Sequence, residues 1–159
     1  MADVEQNKIS VFLVDDHPIV REGVRSYLVS RGIVVVGYAS DAPEALRKLK
    51  KLSPDIIVLD VSLPSMKGWE LALRLRRLAP KARILTFSIH SSKEYMVKMA
   101  CCGARGYVTK DQPTAELLAA IRQVARGGLH FPAGMGDAIL AAVNKFYLKP
   151  ALRHLAENT

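Results

Sequence analysis

Chemistry can first be located in this chain at an aspartate directly after a run of apolar residues, Ile56-Ile57-Val58-Leu59-Asp60. Four consecutive apolar residues read as a strand buried on both faces, as in a parallel sheet. Pro64 ends regular structure soon after it. Asp60 then stands at the carboxyl end of a central strand, in the crevice where open α/β sheets bind ligands. Alone, such a residue reads as a loop cap. Other apolar runs supply companions: Asp15 and Asp16 after the first, Ser88 after the fourth and Lys110 after the fifth. In a parallel sheet these ends share one rim, so three carboxylates, a hydroxyl and an ammonium converge there. Carboxylates that close repel unless a cation holds them. Lys110 supplies one charge and a divalent ion the remainder. Oxygen ligation with room for waters suits Mg²⁺, with Mn²⁺ as a substitute. One carboxylate can then act as a nucleophile toward phosphorus and form an aspartyl phosphate. Metal, lysine and hydroxyl would neutralise the charge of the transferred group.

The elements that must position these groups follow from hydrophobic periodicity. Strands are expected over Ile9–Val14, Ile33–Tyr38, Ile56–Leu59, Ile84–Phe87 and Arg105–Val108. A first helix follows His17-Pro18, with proline in the first turn, His17 as cap and Val20, Val24, Tyr27 and Leu28 at helical spacing. Gly32 closes it. Asp41 with Glu44 makes a capping-box-like start to a second helix with Ala42, Ala45, Leu46 and Leu49 inward. Leu71, Leu75 and Leu78 mark a third helix, stopped before Pro80. Ser91 and Glu94 suggest a capped fourth helix through Met96 and Ala100 to Gly103. Pro113 opens a fifth, with Leu117, Ile121 and Val124 inward and Gly127-Gly128 beyond. Strict β–α alternation implies a parallel sheet with helices on both faces and right-handed crossovers.

Composition bounds the function classes. The chain has 159 residues, 50% of them hydrophobic and 24% charged, as in a globular protein with a sizeable core. No apolar run approaches a membrane span, and Met1 to Lys8 is polar, unlike a secretory signal. Cys101 and Cys102 are adjacent, a poor arrangement for a structural disulfide, so the expected setting is the reducing cytoplasm. The net charge is +8, concentrated at Arg47, Lys48, Lys50 and Lys51, and at Arg74, Arg76, Arg77, Lys81 and Arg83. Such clusters can face nucleic acid or an acidic partner. They carry no interleaved aromatic residues, which argues against single-strand binding, and solvated helix faces explain them adequately. His17, His90, His130 and His154 lack metal-ligand spacing with the cysteines, so no zinc site is expected.

Taken together, Asp15-Asp16-His17-Pro18, Asp60 with Pro64 beyond, Phe87-Ser88-Ile89-His90 and Gly103-Ala104-Arg105-Gly106-Tyr107-Val108-Thr109-Lys110 resemble the receiver domain of two-component response regulators. The likeness is strongest to the subgroup bearing a LuxR-type helix-turn-helix, and it covers about residues 8–130. It implies a flavodoxin-like fold with strand order 2-1-3-4-5. It further implies that Asp60 accepts a phosphoryl group from a phosphohistidine of a sensor histidine kinase. Asp16 would bind Mg²⁺ directly, Asp15 chiefly through water, and the Ser62 backbone carbonyl would complete the protein ligands. Lys110 would pair with one phosphoryl oxygen and Ser88 with another, and Tyr107 would rotate inward as Ser88 moves. Ser62 and His90 would flank the phosphoryl group and tune its lifetime. A rival from the enzyme class, a Mg²⁺-dependent phosphatase working through an aspartyl phosphate, places a second Asp two residues after its nucleophile; here that residue is Ser62. A third reading is a protein-interaction module that is never phosphorylated. On the first reading the chain is a switch and not a turnover enzyme.

The expected division is a receiver over residues 1–130 and a linker or helical extension over 131–159. A tail helix from Asp137 carries Ile139, Leu140, Val143, Phe146 and Tyr147, with a further short helix over Ala151–Glu157. Leu152-Arg153-His154-Leu155 is too short and too weakly basic for a recognition helix. Control of transcription would therefore need an output domain outside these residues, either in a longer regulator or not at all if the receiver acts alone. Tyr95, Met96 and Met99, beside Lys93, Glu94, Lys98 and Arg122, suggest a homodimer through the fourth and fifth helices. The apolar stripe of the tail helix must dock on the receiver, pair with a second copy, or join an effector domain.

Overall fold

A computed structural model of the chain describes residues 8–145. Five strands form one sheet: β1 (Ser10–Val14), β2 (Val34–Ala39), β3 (Ile56–Leu59), β4 (Arg83–Ser88) and β5 (Ala104–Thr109). Every pairing is parallel and the order is β2-β1-β3-β4-β5, the flavodoxin-like order expected from the sequence. Five helices connect and follow the strands: α1 (Pro18–Ser30), α2 (Ala42–Lys48), α3 (Gly68–Leu78), α4 (Lys93–Cys101) and α5 (Thr114–Ala125). A sixth helical segment, α6, runs through residues 136–145.

Strand alternation divides the core in two. Val11 and Leu13 of β1 face a cluster with Val24 and Leu28 of α1 and Leu117, Ile121 and Val124 of α5. Phe12 and Val14 face the opposite cluster, with Ala42 and Ala45 of α2, Leu71 and Leu75 of α3, and Met96 and Met99 of α4. β3 lies at the centre of the sheet and is buried along its whole length, which is why it reads as an unbroken apolar run.

Helix starts follow local chemistry, with two shifts from expectation. Asp41 caps α2, accepting from the Glu44 N–H at 3.0 Å. The α4 cap is Ser92, not Ser91: its Oγ accepts from the Tyr95 N–H at 3.2 Å, the spacing that satisfies an orphan donor of the first turn. His17 occupies the cap position of α1 but makes no side-chain bond to the helix. Its ring is engaged elsewhere.

One correction concerns the face of α4, while the tail takes one of the three courses expected for its apolar stripe. Met96 and Met99 are buried in the core, so they offer no surface for pairing. They lie one turn apart with Ala100 on the stripe that seats α4 on the sheet. The tail docks on the same core: Met135, Ile139 and Ala142 are buried in the cluster that holds Met96, Met99 and Tyr107, while Leu140 points outward. Phe146, Tyr147 and the short helix expected over Ala151–Glu157 lie outside the described residues.

Between α5 and α6 the chain crosses the exposed edge of β5. The Tyr107 N–H donates to the His130 carbonyl at 2.8 Å, and the His130 N–H to the Arg105 carbonyl at 3.0 Å. This approach requires glycine at position 106, where a Cβ would lie 2.8 Å from the His130 carbonyl oxygen and 2.6 Å from Leu85 Cδ1.

Candidate functional site

The sheet ladders continue one residue past the strands and fix the acidic groups on the rim. The Asp60 N–H donates to the Val14 carbonyl at 2.9 Å, and the Asp15 N–H to the Ala39 carbonyl at 3.0 Å. On the other side, the Lys110 N–H reaches the Ser88 carbonyl at 2.8 Å. Gly68, at the start of α3, packs flush on Val61, so closely that any Cβ there would collide with it. That contact holds the loop just after Asp60.

Lys110 bridges two of the carboxylates. Its Nζ donates to Asp15 Oδ2 at 2.8 Å and to Asp60 Oδ2 at 3.0 Å. Burial pulls the ammonium down, but hydrogen bonds and attraction from Asp15 and Asp60 outweigh it, so its pKa is raised and the charge is kept. The second oxygen of Asp60 accepts from the Ser62 N–H at 3.0 Å, and that of Asp15 from the His17 N–H at 2.8 Å. Arg21 secures this corner, donating to the Asp15 carbonyl at 2.8 Å and to Ser40 Oγ at 3.0 Å.

Asp15, Asp16, His17 and Asp60 each offer a ligand atom within 4.8 Å of one another. Asp16 Oδ1 is buried and lacks a hydrogen-bond partner. A buried carboxylate oxygen left without a donor is costly, and a divalent cation is the partner its chemistry suits. These residues fit Mg²⁺ or Mn²⁺.

The groups on the β4 side form a connected chain. Ser88 is fully buried, and its Oγ accepts from the His90 N–H at 3.2 Å. The Tyr107 hydroxyl donates to the His90 carbonyl at 2.7 Å. Tyr107 is only 1% exposed, so its ring already lies inward. Burial is the main reason its hydroxyl is pushed up to about 12. The His90 ring stacks on Tyr95 with centroids 5.1 Å apart, and Tyr95 tilts against Trp69 at 5.6 Å. Lys98 lies 3.8 Å from the centre of the Trp69 ring. Ser62 Oγ, beside Asp60, is buried without a partner.

Thus the expected Asp15, Asp16, Asp60 and Lys110 come together, with Ser62 tied to Asp60 and Ser88, His90 and Tyr107 linked to one another. The sequence reading did not place His17 in the acidic cluster. Its adjacency to Asp15-Asp16 was the available signal, and its role as a helix cap masked it.

Fold and site together define a doubly wound parallel domain with a lysine-bridged acidic pocket on the carboxyl rim of its sheet. A family model of the response regulator receiver domain matches residues 11–122, and the chain belongs to that family. It is 35% identical over 137 residues to the transcriptional regulatory protein MctR of Rhizobium johnstonii, covering 86% of this chain and 64% of that protein. The nitrate/nitrite response regulator NarL of Escherichia coli is 33% identical over 139 residues, with 87% and 64% covered. A crystal structure of a LuxR-family response regulator from an Aurantimonas species superimposes with a TM-score of 0.77 at 39% identity, over 84% of this chain and 96% of that one. The chain thus spans less than two thirds of the length of these curated relatives. No helix among the described residues is long and apolar enough to cross a membrane.

Proposed function

We propose that this chain is a phosphorylation-controlled receiver, in which Asp60 accepts a phosphoryl group from a phosphohistidine of a sensor histidine kinase. The observation that carries this reading is the Lys110 ammonium shared by Asp15 and Asp60, beside Asp16 and its unpartnered oxygen. In the transfer an Asp60 oxygen bonds to phosphorus as the P–N bond breaks. The imidazole leaves with the electron pair, and the carboxylate becomes an acyl phosphate. Asp16 and Asp60 would hold Mg²⁺ directly with the Ser62 carbonyl, and Asp15 through water; Mn²⁺ would serve in its place. When bound, the ion offsets charge on the phosphoryl oxygens. Lys110 pairs with one of those oxygens and the Ser88 hydroxyl with another.

The readout follows from the bonds that Ser88 must give up. If Ser88 turns toward a phosphoryl oxygen, the His90 N–H loses its acceptor, and the His90 carbonyl that holds Tyr107 is freed to move. A ligand shifts a two-state element only through contacts that differ between the states, and this pair of bonds supplies them. Ser62 and His90 flank the acceptor and tune the lifetime of the acyl phosphate.

The chain is then a switch and not a turnover enzyme. The phosphatase reading lacks its acid/base group, since Ser62 stands two residues after Asp60. We assign residues 1–130 to the receiver and 131–159 to a linker or helical extension. Transcription would be controlled through an output domain beyond it, in the cytoplasm. Homodimerisation would use α4 and α5, through Tyr95, Lys93, Glu94 and Arg122, or the outer side of the C-terminal helix, where Leu140 is exposed.

Intact-mass measurement after incubation with acetyl phosphate and Mg²⁺ tests the central assignment. One phosphoryl adduct is expected on the wild type, and none with chelator or in Asp60→Asn. An undiminished adduct in that variant would remove Asp60 as the acceptor.

A further inference from the structure

We propose that His17 is a nitrogen ligand of the divalent ion at this rim, and that it biases the site toward Mn²⁺ and later first-row ions over Mg²⁺. The inference rests on the metal-binding reading of Asp15, Asp16 and Asp60. It adds a ligand, and with it a preference among metals.

Three observations carry it. First, the ring nitrogen sits among the carboxylates: His17 Nδ1 is 3.0 Å from Asp16 Oδ1 and 3.8 Å from Asp60 Oδ2, the two carboxylates assigned to the ion directly, and it is in hydrogen-bond contact with Asp15 Oδ1 at 3.1 Å. Donors at adjacent corners of an octahedron with bonds of about 2.1 Å are about 3.0 Å apart, and opposite corners about 4.2 Å. The separation from Asp16 matches adjacent corners, and that from Asp60 lies between the two values.

Second, the contact with Asp16 is not a hydrogen bond. Asp16 Oδ1 lies 3.0 Å from the ring nitrogen, yet it has no bonded partner. Such a pair suits two ligands turned toward a common ion.

Third, the backbone already aims the ring. The His17 N–H is held by Asp15 Oδ1 at 2.8 Å, in an extended conformation just ahead of Pro18, the first residue of α1. The ring edge remains exposed, so an ion can enter without unpacking the core.

The consequence is selectivity. Mg²⁺ keeps oxygen ligands and waters, whereas imidazole nitrogen favours Mn²⁺ and, increasingly, Co²⁺ and Ni²⁺. An all-carboxylate rim would discriminate little among hard divalent ions.

The test loads the full chain with Mn²⁺ and measures electron spin-echo modulation from ligand ¹⁴N. Imidazole modulation is expected in the wild type, absent in His17→Gln and His17→Asn, and retained in His90→Gln. By calorimetry, Mn²⁺ affinity should fall roughly tenfold in His17→Gln while Mg²⁺ affinity changes by less than about twofold. Stoichiometric Mn²⁺ without ¹⁴N modulation, or modulation that persists without His17, would overturn the assignment. Failure of the underlying site looks different: no stoichiometric Mn²⁺ on the wild type, or binding undiminished in Asp16→Ala.

Discussion

Replacing Lys110 with alanine tests the electrostatics on which the whole rim depends. The lysine side chain is 11% exposed, and its two carboxylate partners are 8% and 2% exposed at 2.8 and 3.0 Å. Without the ammonium, Asp15 and Asp60 face one another with no cation between them. Removing one partner of a buried ion pair costs about 3–5 kcal/mol. Asp16 and the His17 ring leave one side of this cluster open to water, which places the loss near the lower end, about 3 kcal/mol. For a chain of this size each kcal/mol moves Tm by about 2–4 °C, so Lys110→Ala should unfold about 6–12 °C lower in chelator. Part of that loss is reversible by metal. A rim that has lost its resident positive charge should bind Mg²⁺ more tightly, and a tenfold gain returns about 1.4 kcal/mol at saturation. Thermal unfolding of both proteins, in chelator and in saturating Mg²⁺, should show the gap narrowing by about 3–6 °C. Lys110→Met, which keeps an apolar stem, separates lost packing from lost charge. Equal stability of the metal-free proteins, or a gap that Mg²⁺ leaves unchanged, would refute the idea that Lys110 and the ion neutralise the same carboxylates.

Other outcomes follow from the same geometry. Gly106→Ala should lift the chain off the β5 edge, breaking two backbone hydrogen bonds worth about 0.5–1.5 kcal/mol each; faster amide exchange at Tyr107 and His130 checks this, and unchanged protection contradicts it. Stability should fall at alkaline pH, because Tyr107 at about 12 and the raised Lys110 both hold their protons more tightly folded than unfolded. Their contributions are complete below about pH 10 and decline as pH rises through the folded values, so denaturant titrations should show a shallower decline in Tyr107→Phe. Trp69 tilts on Tyr95, which stacks on His90, so phosphorylation that displaces His90 should change Trp69 emission. Unaltered emission at full phosphorylation would mean that this ring chain stays still.

Strands β1, β3, β4 and β5 and the residues at their ends were legible because burial on both faces favours nearly unbroken apolar runs, and a charged residue after such a run must lie on the rim. Asp60 after Ile56–Leu59 and Lys110 after Tyr107-Val108-Thr109 show the rule. Helix starts were less sharp. Ser91 and Ser92 are chemically equivalent caps, and only the bond to the Tyr95 N–H separates them. The inward face of α4 was readable in principle, since Met96, Met99 and Ala100 share one stripe, but the charged neighbours drew attention to its surface. The pairing of His130 with β5 was not legible in the sequence. A single-residue bridge has no periodicity, and its only mark is the glycine opposite.

That bridge bears on how the parts of the molecule are joined. β5 supplies Lys110 to the carboxylates at its carboxyl end and Tyr107 to the His90 carbonyl along its length. At the same Tyr107, the backbone N–H holds the segment leading to α6, whose Ile139 and Ala142 share a core cluster with the Tyr107 ring. One residue therefore hydrogen-bonds toward the rim with its side chain and toward the tail with its backbone. A displacement of the Tyr107 side chain alone would leave the tail's backbone bonds intact and disturb only its packing. A shift of the strand would break both. The docked tail and the rim are thus neighbours through a single strand, at a residue buried on both counts.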